Sequence, residues 1–368
     1  MRIALLSLHF AEYACRLAAA LATEHDVLLL LSDRNAKDEL EEELEYFRQL
    51  PRLTISIIEH RKSPLQMLAN LRRILAEVKA FQPDVLHMQE DTKDYLVVAV
   101  ALLHRRYPFV MTVHDPSPHS GADARQMHYS RHVLYRDFQR TMPDHVITHG
   151  EQLCREMERL VPRLTGRVSA CSIGPYGPLV PSEQPYQPGN LLFFGRINEY
   201  KGLRYFLEAV LLLRQRGLAV KGVIAGTGAD LAPNRATIEA HDCFELHDEF
   251  IARDKLNHLF QQAQLLIMPY VDATQSGVAA MAQGFGRLVV ATDVGSIPEL
   301  VLHEKTGLIV PPRDPVALAD AIEGLLRDPA RARAMEAQVR DYAQRRWGEV
   351  VASTNAVYAR AIAHHHQR

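Results

Sequence analysis

Two cations stand close together in the stretch NLLFFGRINEYKG, residues 190–202. A short apolar run, typical of a buried strand, ends at Gly195, and Arg196 and Lys201 then lie around a polar turn before a helix expected over 202–216. Helix N-termini offer free N–H groups and a positive dipole end to an anion, and Arg and Lys add full charges. The spacing therefore favours a phosphate-binding turn, with an ordinary exposed Arg and Lys as the alternative for this stretch alone.

Two later stretches also place small residues directly after a predicted strand. In IAGTGAD, Gly226 would let the backbone approach a ligand closely, although a plain tight turn gives the same GxG pattern. In PYVDATQSGVAAMAQGFG, a helix is expected to begin near Gly277, so that the backbone N–H groups of Ser276, Gly277 and Val278 point at an anion. Three strand-end turns are therefore expected to converge.

The elements that would carry these turns alternate between short apolar runs and amphipathic stretches, the pattern of a parallel sheet covered by helices. In the first half, strands are predicted over Ile3–Leu8, Val27–Leu31, Thr54–Ile58, Val85–Met88, Phe109–Val113 and His145–Thr148. Helices are predicted over Tyr13–Ala22, Ala36–Arg48, Pro64–Phe81, Lys93–Arg105, Arg125–Thr141 and Glu151–Leu160. Such a doubly wound domain binds ligands at the carboxyl ends of its strands.

A stretch rich in proline and glycine, GPYGPLVPSEQPYQPG, precedes a second alternating set. Its strands are predicted near Leu191–Phe194, Val220–Ala225, Phe244–Leu246, Leu265–Met268, Leu288–Ala291 and Gly307–Val310. The predicted fold class is α/β, with two doubly wound Rossmann-like domains and a cleft between them. The predicted parts are a first domain at 1–175, a linker at 176–189, a second domain at 190–345 and a final helix at 346–368. The tail Pro329–Ala363 is expected to be helical, with an interruption near Trp347 and Gly348.

Composition indicates a globular cytoplasmic protein. The 368 residues are 47% hydrophobic and 23% charged, which suits two domains of ordinary size. A formal charge of -2 gives no whole-molecule field for nucleic acid. Four cysteines without a CxxC pair indicate neither a disulfide framework nor a zinc site. The opening MRIALLSLHF is too short an apolar run for a signal peptide, and no later run approaches the length of a membrane span.

Four blocks in order, FFGRINEYKG, IAGTGAD, LFQQAQLLIMPYVDATQSGVAAMAQGFGRLVVATDVGSIPELV and EKTGLIVPPRDPVALADAI, resemble the carboxyl-terminal domain of family 4 glycosyltransferases of GT-B fold. Their order, spacing and strand-turn context match over about 140 residues. PDVLHMQE and FVMTVHDPSPHSG resemble that family's acceptor-side domain, and the helix near Trp347 resembles the segment that returns to pack on it.

The resemblance implies transfer of a sugar from a nucleotide diphosphate donor, with retention of its anomeric configuration and without a metal. Arg196 and Lys201 match the pair that neutralises the leaving diphosphate, with backbone donors from the helix that begins at Gly277. Phe250 and Ile251 fall where the family holds the nucleobase, and residues 295–298 would line the sugar.

The chain departs from the family where most members carry two glutamates separated by seven residues, because those positions hold Ala273 and Met281. The chain resembles a branch of the family that has a QSG-type turn and the same replacement of both glutamates. The resemblance leaves the substitute contacts open: the sugar could be held by Asp272, Thr274 or Gln275, and the ribose by Gln283 or by backbone.

His114, in TVHD, is expected at the end of a first-domain strand, where the resemblance places a histidine near the transferred sugar. Its expected role is a hydrogen bond to that sugar or to the developing charge, with no part in metal binding; a structural histidine is the alternative. His9, Glu12 and Tyr13 follow the first strand, where relatives often carry glycines that this chain lacks. A surface-facing turn is the alternative there.

The stretch RQMHYSRHVLYRDFQR, residues 125–140, places four arginines among aromatic residues. It could rest on an anionic bilayer surface and bring a lipid-linked acceptor within reach. The alternative is a solvated helix face whose aromatic side chains pack inward.

The sequence therefore predicts a retaining, metal-independent hexosyltransferase with no cofactor beyond its nucleotide-sugar donor. Its expected acceptor is a saccharide or a lipid-linked glycan, as in cell-surface polysaccharide synthesis. The expected location is the cytoplasm, with peripheral contact to the inner face of the membrane as an option. Loss of both family carboxylates keeps open a non-catalytic GT-B protein that binds a nucleotide or glycan, and a nucleotide-sugar epimerase is a third alternative.

Overall fold

The structure is a computed structural model, and it describes residues 1–40, 43–59, 63–90, 94–117, 131–177, 186–273 and 276–367. Within these residues the chain divides into two compact units. The first unit contains 1–117, 131–174 and 347–367, and the second contains 175–177 and 186–346. Residues 178–185, which form most of the predicted linker, lie outside this description.

The first unit is built on a parallel sheet of seven strands: β1 Arg2–Ser7, β2 Asp26–Ser32, β3 Leu53–Ile58, β4 Val85–Gln89, β5 Phe109–Thr112, β6 His145–Thr148 and β7 Val168–Ala170. Their spatial order is β3-β2-β1-β4-β5-β6-β7. Strands such as β2, with the sequence DVLLLLS, are buried along nearly their whole length, as parallel strands covered by helices must be. The order reverses between β1 and β4, and doubly wound sheets open a crevice at such a point.

The helices of the first unit connect these strands, as parallel pairing requires. They are α1 Ala11–Leu21, α2 Asp33–Leu40, α3 Glu43–Arg48, α4 Pro64–Phe81, α5 Asp94–Leu103, α6 Arg131–Gln139 and α7 Glu151–Leu160, with a 3-10 turn at Pro162–Leu164.

The second unit repeats the plan with a parallel sheet of six strands: β8 Asn190–Phe194, β9 Lys221–Ala225, β10 Phe244–His247, β11 Leu265–Met268, β12 Leu288–Thr292 and β13 Gly307–Val310. The spatial order is β10-β9-β8-β11-β12-β13, so the order reverses between β8 and β11. Both strands end directly before the turns that carry the predicted anion-binding residues.

The helices of the second unit are α8 Leu203–Gln215, α9 Leu231–Glu239, α10 Arg253–Gln262, α11 Gly277–Gly284, α12 Ile297–Leu300 and α13 Pro315–Arg327, with a 3-10 turn at Glu199–Lys201. A last helix, α14, runs from Pro329 to His365, and the division between the units falls inside it. Tyr358 on its distal half is wholly buried in the first unit, with its hydroxyl 2.7 Å from Nδ1 of His87.

Side chains that alternate along β8 anchor the first predicted turn. Leu191 and Phe193 are buried in the core of the second unit, where the Phe193 ring lies 5.5 Å from that of Phe206 on α8. Phe194 points the other way and packs edge-on against Phe260 at 5.2 Å. Full burial of one such phenylalanine contributes about 2 kcal/mol. The turn after β8 therefore begins from a strand that is held on both faces.

The α/β class, the two parallel sheets and twelve strand predictions are confirmed to within two residues at each end. The edge strand β7 was not predicted, because its three half-buried residues carry too short a pattern. The cleft between the two domains stays a prediction.

One helix prediction was wrong. The helix expected over 36–48 is described as α2 and α3 on either side of residues 41 and 42, which lie outside the description, so its continuity stays a prediction. The expected interruption near Trp347 is absent, since α14 continues through Gly348, where a glycine costs only about 1 kcal/mol relative to alanine. No helix in the described ranges is long and apolar enough to cross a membrane.

Candidate active site

The turns after β8 and β9 are joined by backbone hydrogen bonds that continue the pairing of the two strands. The N–H of Gly195 donates to Ala225 O at 3.0 Å, and that of Ile197 donates to Thr227 O at 2.8 Å. Gly226 has φ +133°, and a Cβ there would overlap the carbonyl oxygen of Gly195. Contact between the two loops is thus a structural reason for this glycine, and its contact with a ligand stays a prediction.

The Lys201 ammonium lies inside this arrangement. Its side chain is 6% exposed, and Nζ donates to the Tyr270 hydroxyl at 2.9 Å and to Phe194 O at 3.4 Å. A Cβ built on Gly195 would lie 2.5 Å from this Nζ and 3.7 Å from Cγ2 of Val278. The structure therefore brings together three predicted site residues from the turn after β8 and from the start of α11.

Lys201 is a buried cation without a carboxylate partner among the described residues. Burial lowers its pKa to about 8, the nearby Tyr200 opposes this shift, and the charge of Arg196 adds to it. An unpaired buried charge is costly. An anionic ligand beside Nζ would remove that cost.

Arg196 is the exposed member of the pair. No hydrogen bond or ion pair of its guanidinium occurs within the part of the chain that the structure describes. Two cations on one turn, one buried and one exposed, suit a ligand that carries more than one negative charge.

Helix α11 begins at the same point. Ser276 is extended and 5% exposed, and its Oγ accepts a hydrogen bond from Ala279 N at 3.2 Å, so it is the N-cap. The N–H groups of Gly277 and Val278 belong to the first turn, whose donors have no intrahelical partner. Donation by these groups and by Lys201 to one anion stays a prediction. Gln275, which was also predicted here, lies outside the described residues.

The segment 175–177 packs along α11. Tyr176 N donates to Ala280 O at 3.3 Å, and a Cβ on Gly277 would overlap the Tyr176 hydroxyl oxygen. A Cβ on Gly284, two turns further along, would lie 2.6 Å from the Tyr176 backbone. Packing of this segment is therefore one reason why the helix starts with glycine.

Tyr270 links the turn after β8 to α11, and sequence reasoning missed it. It is 3% exposed, its hydroxyl accepts a hydrogen bond from Lys201 Nζ at 2.9 Å, and the Ser276 side chain lies beside it. Thr292 Oγ1 fixes its backbone by donating to Tyr270 O at 2.5 Å. Burial raises the pKa of Tyr270, so it keeps its proton. The sequence did carry a signal for Tyr270, because this residue lies two positions after β11 and in the same block as TQSG.

The two residues predicted at the nucleobase differ in exposure. Phe250 is 77% exposed, whereas Ile251 is buried just before α10. The aromatic face of Phe250 is thus accessible for stacking, and the base contact of either residue stays a prediction.

In the first unit, His114 follows β5 and is buried. Its Nε2 lies 2.7 Å from Oε1 of Gln89, and its ring lies 4.4 Å from Phe10 and 4.8 Å from His149. Burial, followed by the charges of His149 and His87, holds the pKa of His114 well below its usual value. His114 is therefore a neutral hydrogen-bonding group.

Gln89 and His149, which sequence reasoning also missed, complete this cluster. His149 Nδ1 donates to Cys171 O at 2.8 Å, which leaves its Nε2 as an acceptor. Three buried nitrogens find no partner among the described residues: Nδ1 of His114, Nε2 of His149 and Nε2 of Gln89. Buried polar atoms are rarely left unpaired. The signal was their position at the carboxyl ends of β4, β5 and β6, since these strands are neighbours in the sheet.

Comparison with known proteins matches both halves of the chain to glycosyltransferase families. Residues 11–168 match the family described as "Glycosyltransferase Family 4", and residues 188–328 match "Glycosyl transferases group 1". The chain is a family 4 glycosyltransferase. The glycogen synthase of Mycobacterium tuberculosis is 27% identical over 300 residues, which are 77% of this chain and 70% of the relative.

Solved structures show that this family 4 glycosyltransferase has the GT-B fold. Sucrose-phosphate synthase from Thermosynechococcus elongatus is 20% identical with a TM-score of 0.67, covering 99% of both chains. Anabaena HepE, in complex with UDP-glucose, is 16% identical with a TM-score of 0.67, covering 97% of this chain and 98% of the other.

The glycosyltransferase has apolar side chains where the family commonly has its glutamates. Ala273 and Met281 are both buried, at 7% and 8% exposure, and Asp272 is half-buried. Thr274 lies outside the description. Gln283, suggested for the ribose, is 1% exposed and donates to Leu300 O at 2.8 Å, and its contact with a ribose stays a prediction.

Arg140 is not the surface cation that the arginine-rich stretch suggested. It is 3% exposed and pairs with Glu90, with Nε to Oε1 at 2.6 Å. It also donates to Pro116 O at 2.8 Å and to Asp115 O at 3.1 Å, so it holds the loop after His114. Residues 125–130 lie outside the description.

The residues after β1 also have structural contacts. Glu12 is buried and pairs with Arg16 at 3.1 Å. This ion pair accounts for a carboxylate at position 12 without any contact to an acceptor substrate. Tyr13 is buried with its ring 5.9 Å from that of His114. Of the three residues named here from sequence, Tyr13 lies in the histidine cluster.

Proposed function

We propose that this protein is a retaining glycosyltransferase that takes a sugar from a nucleoside diphosphate donor. Arg196, Lys201 and the first turn of α11 hold the diphosphate. The observation that carries this proposal is the buried Lys201 ammonium, which faces α11 without a carboxylate. The HepE structure, whose ligand is UDP-glucose, supports a donor of this class.

The proposed reaction breaks the bond between the anomeric carbon and the diphosphate and forms a bond from that carbon to an acceptor hydroxyl oxygen. Negative charge grows on the diphosphate, and cations and helix donors fixed beside it favour this step. The acceptor proton leaves to the diphosphate or to solvent. Retention is proposed from family membership.

His114 would accept or donate a hydrogen bond to a sugar hydroxyl, together with Gln89 and His149. A sugar carries many hydroxyl groups, each of which is both a donor and an acceptor. The unpaired nitrogens of this cluster suit such a ligand.

The proposed acceptor is a saccharide or a lipid-linked glycan. The proposed role is a step in the synthesis of a cell-surface polysaccharide, and the proposed location of the enzyme is the cytoplasm. The cysteines are free and buried, which suits a reducing compartment. Membrane contact through 125–140 would depend on the exposed Leu134 and Phe138, at 72% and 51% exposure, since Arg140 is buried. Among the described side chains no group of three His, Cys, Asp or Glu could hold a metal ion, and metal independence stays a prediction.

Isothermal titration with UDP, ADP, GDP and TDP tests the donor site. We expect at least one to bind, and Arg196→Ala to weaken it about tenfold or more, the loss of one charge-assisted hydrogen bond. Arg204→Ala is the matched control, because Arg204 is exposed on α8 and pairs with Glu208. Absence of binding, or equal affinity in the wild type and Arg196→Ala, contradicts the proposal.

A non-catalytic binding protein is the second candidate, favoured by the apolar Ala273 and Met281. Incubation of UDP-glucose and ADP-glucose with saccharide acceptors separates the two. Sugar transfer, with the configuration of the product determined by NMR, supports the enzyme. Nucleotide binding with neither sugar transfer nor donor hydrolysis supports the second candidate.

A further inference from the structure

Tyr270 connects the two arms of the proposed diphosphate site. Its hydroxyl is 2.9 Å from Lys201 Nζ, and the side chain of Ser276, the N-cap of α11, lies beside it. All three side chains are nine-tenths buried or more. The cation and the helix start therefore meet at one buried hydroxyl group.

The chemistry of these groups sets the direction of the hydrogen bonds. An ammonium group can only donate, so the Tyr270 oxygen accepts from Lys201 and its own proton is free to be donated. Ser276 Oγ accepts from Ala279 N at 3.2 Å, which holds this side chain at the start of α11.

We propose that Tyr270 is a positioning residue that aims the Lys201 ammonium at a phosphate group of the donor. This inference rests on the function proposed above. The hydrogen bond from Lys201 to Tyr270 holds the ammonium beside the start of α11, so the cation is turned towards the ligand before it arrives. A fixed donor loses little freedom on binding.

A simple packing role would need the tyrosine ring and not its hydroxyl. The Lys201 Nζ lies 5.0 Å from the ring centroid of Tyr270, and the Tyr200 ring lies 6.1 Å away. Tyr270→Phe retains these ring contacts and removes the hydroxyl alone. The variant therefore separates packing from positioning.

The decisive measurement is the pH dependence of UDP, ADP and GDP affinity from pH 6.5 to 9.5. The titratable or charged groups facing the Lys201 ammonium are Tyr200, Tyr270 and Arg196. Loss of the hydroxyl acceptor disfavours the charged lysine, so affinity should begin to fall about one pH unit lower in Tyr270→Phe than in the wild type. Tyr205→Phe on α8 is the control, with the wild-type profile expected.

The outcomes separate this inference from the donor site itself. If the wild type binds none of these nucleotides, the donor site fails. If it binds them and Tyr270→Phe has the wild-type profile, or a weakening that is equal at every pH, positioning by Tyr270 is overturned.

A second measurement needs no ligand. A lower pKa of Lys201 makes stability begin to rise at a lower pH, so the urea midpoint of Tyr270→Phe should increase more than that of the wild type between pH 6.5 and 9.5. An equal or smaller increase also overturns the inference.

Discussion

The hydroxyl of Tyr176 lies directly against the Cα of Gly277, so a side chain at the first position of α11 and a tyrosine hydroxyl compete for one place. The nearest atom behind the hydroxyl, Tyr176 Cζ, would be 3.3 Å from a Cβ at Gly277. A methyl group there therefore clashes mainly with the hydroxyl.

Gly277→Ala is expected to lower the free energy of unfolding by about 1–3 kcal/mol through this clash, measured by urea unfolding. Tyr176→Phe removes the oxygen, so the double variant should regain at least half of the loss in a double-mutant cycle. Gly348→Ala on α14 is the control, since a Cβ there meets no atom within 4 Å. Additive effects at 277 and 176 would contradict the proposed clash.

The buried pair of Arg140 and Glu90 should be costly to break. Arg140→Met leaves the Glu90 carboxylate, 15% exposed, without its cation, and we expect a loss of about 3–5 kcal/mol in unfolding free energy. Arg136→Met, whose partner Asp137 is 59% exposed, should cost about 1 kcal/mol or less. If both variants lose the same amount, the Arg140 pair does not hold the loop after His114.

Lys201 makes stability depend on pH with a defined sign. Burial lowers its pKa from 10.5 to about 8, so between these values the unfolded chain binds a proton that the folded chain has released. The destabilisation caused by burying the Lys201 charge is complete below pH 8 and declines as pH rises towards 10.5. From pH 8 to 9.5 the free energy of unfolding of the wild type therefore rises by about 2 kcal/mol.

Lys201→Met lacks this gain. Between pH 7.5 and 9.5, the unfolding free energy of the wild type should therefore rise by about 2 kcal/mol more than that of Lys201→Met. Urea titrations at both pH values measure it, with Lys221→Met as a control for loss of a half-exposed lysine. A constant difference would mean that Lys201 is not buried as a cation.

His114 should act as a neutral group throughout the physiological range. Because burial keeps its pKa well below 6.5, its protonation should not limit kcat/KM between pH 6 and 8. His114→Gln should lower kcat/KM about tenfold or more without changing the shape of this profile. An acidic limb near pH 6.5 that disappears in His114→Gln would contradict the structure.

The sequence alone predicted much of this protein, because some of its signals are local. Alternating apolar runs predicted the two parallel sheets, and the strand-turn-helix order predicted Lys201 at a turn and the start of α11 at Gly277. These features depend on neighbours within about ten residues. Local patterning is sufficient to find them.

Only the tertiary structure decided which side chains meet. Tyr270 lies 69 residues from Lys201, and Arg140 lies 50 residues from Glu90, so nothing in their local sequence reveals the contact. The order of strands in each sheet brings these residues together. Gln283 lies in the interior because it falls on the buried side of α11. Contacts of this kind depend on packing between distant segments, which local periodicity does not encode.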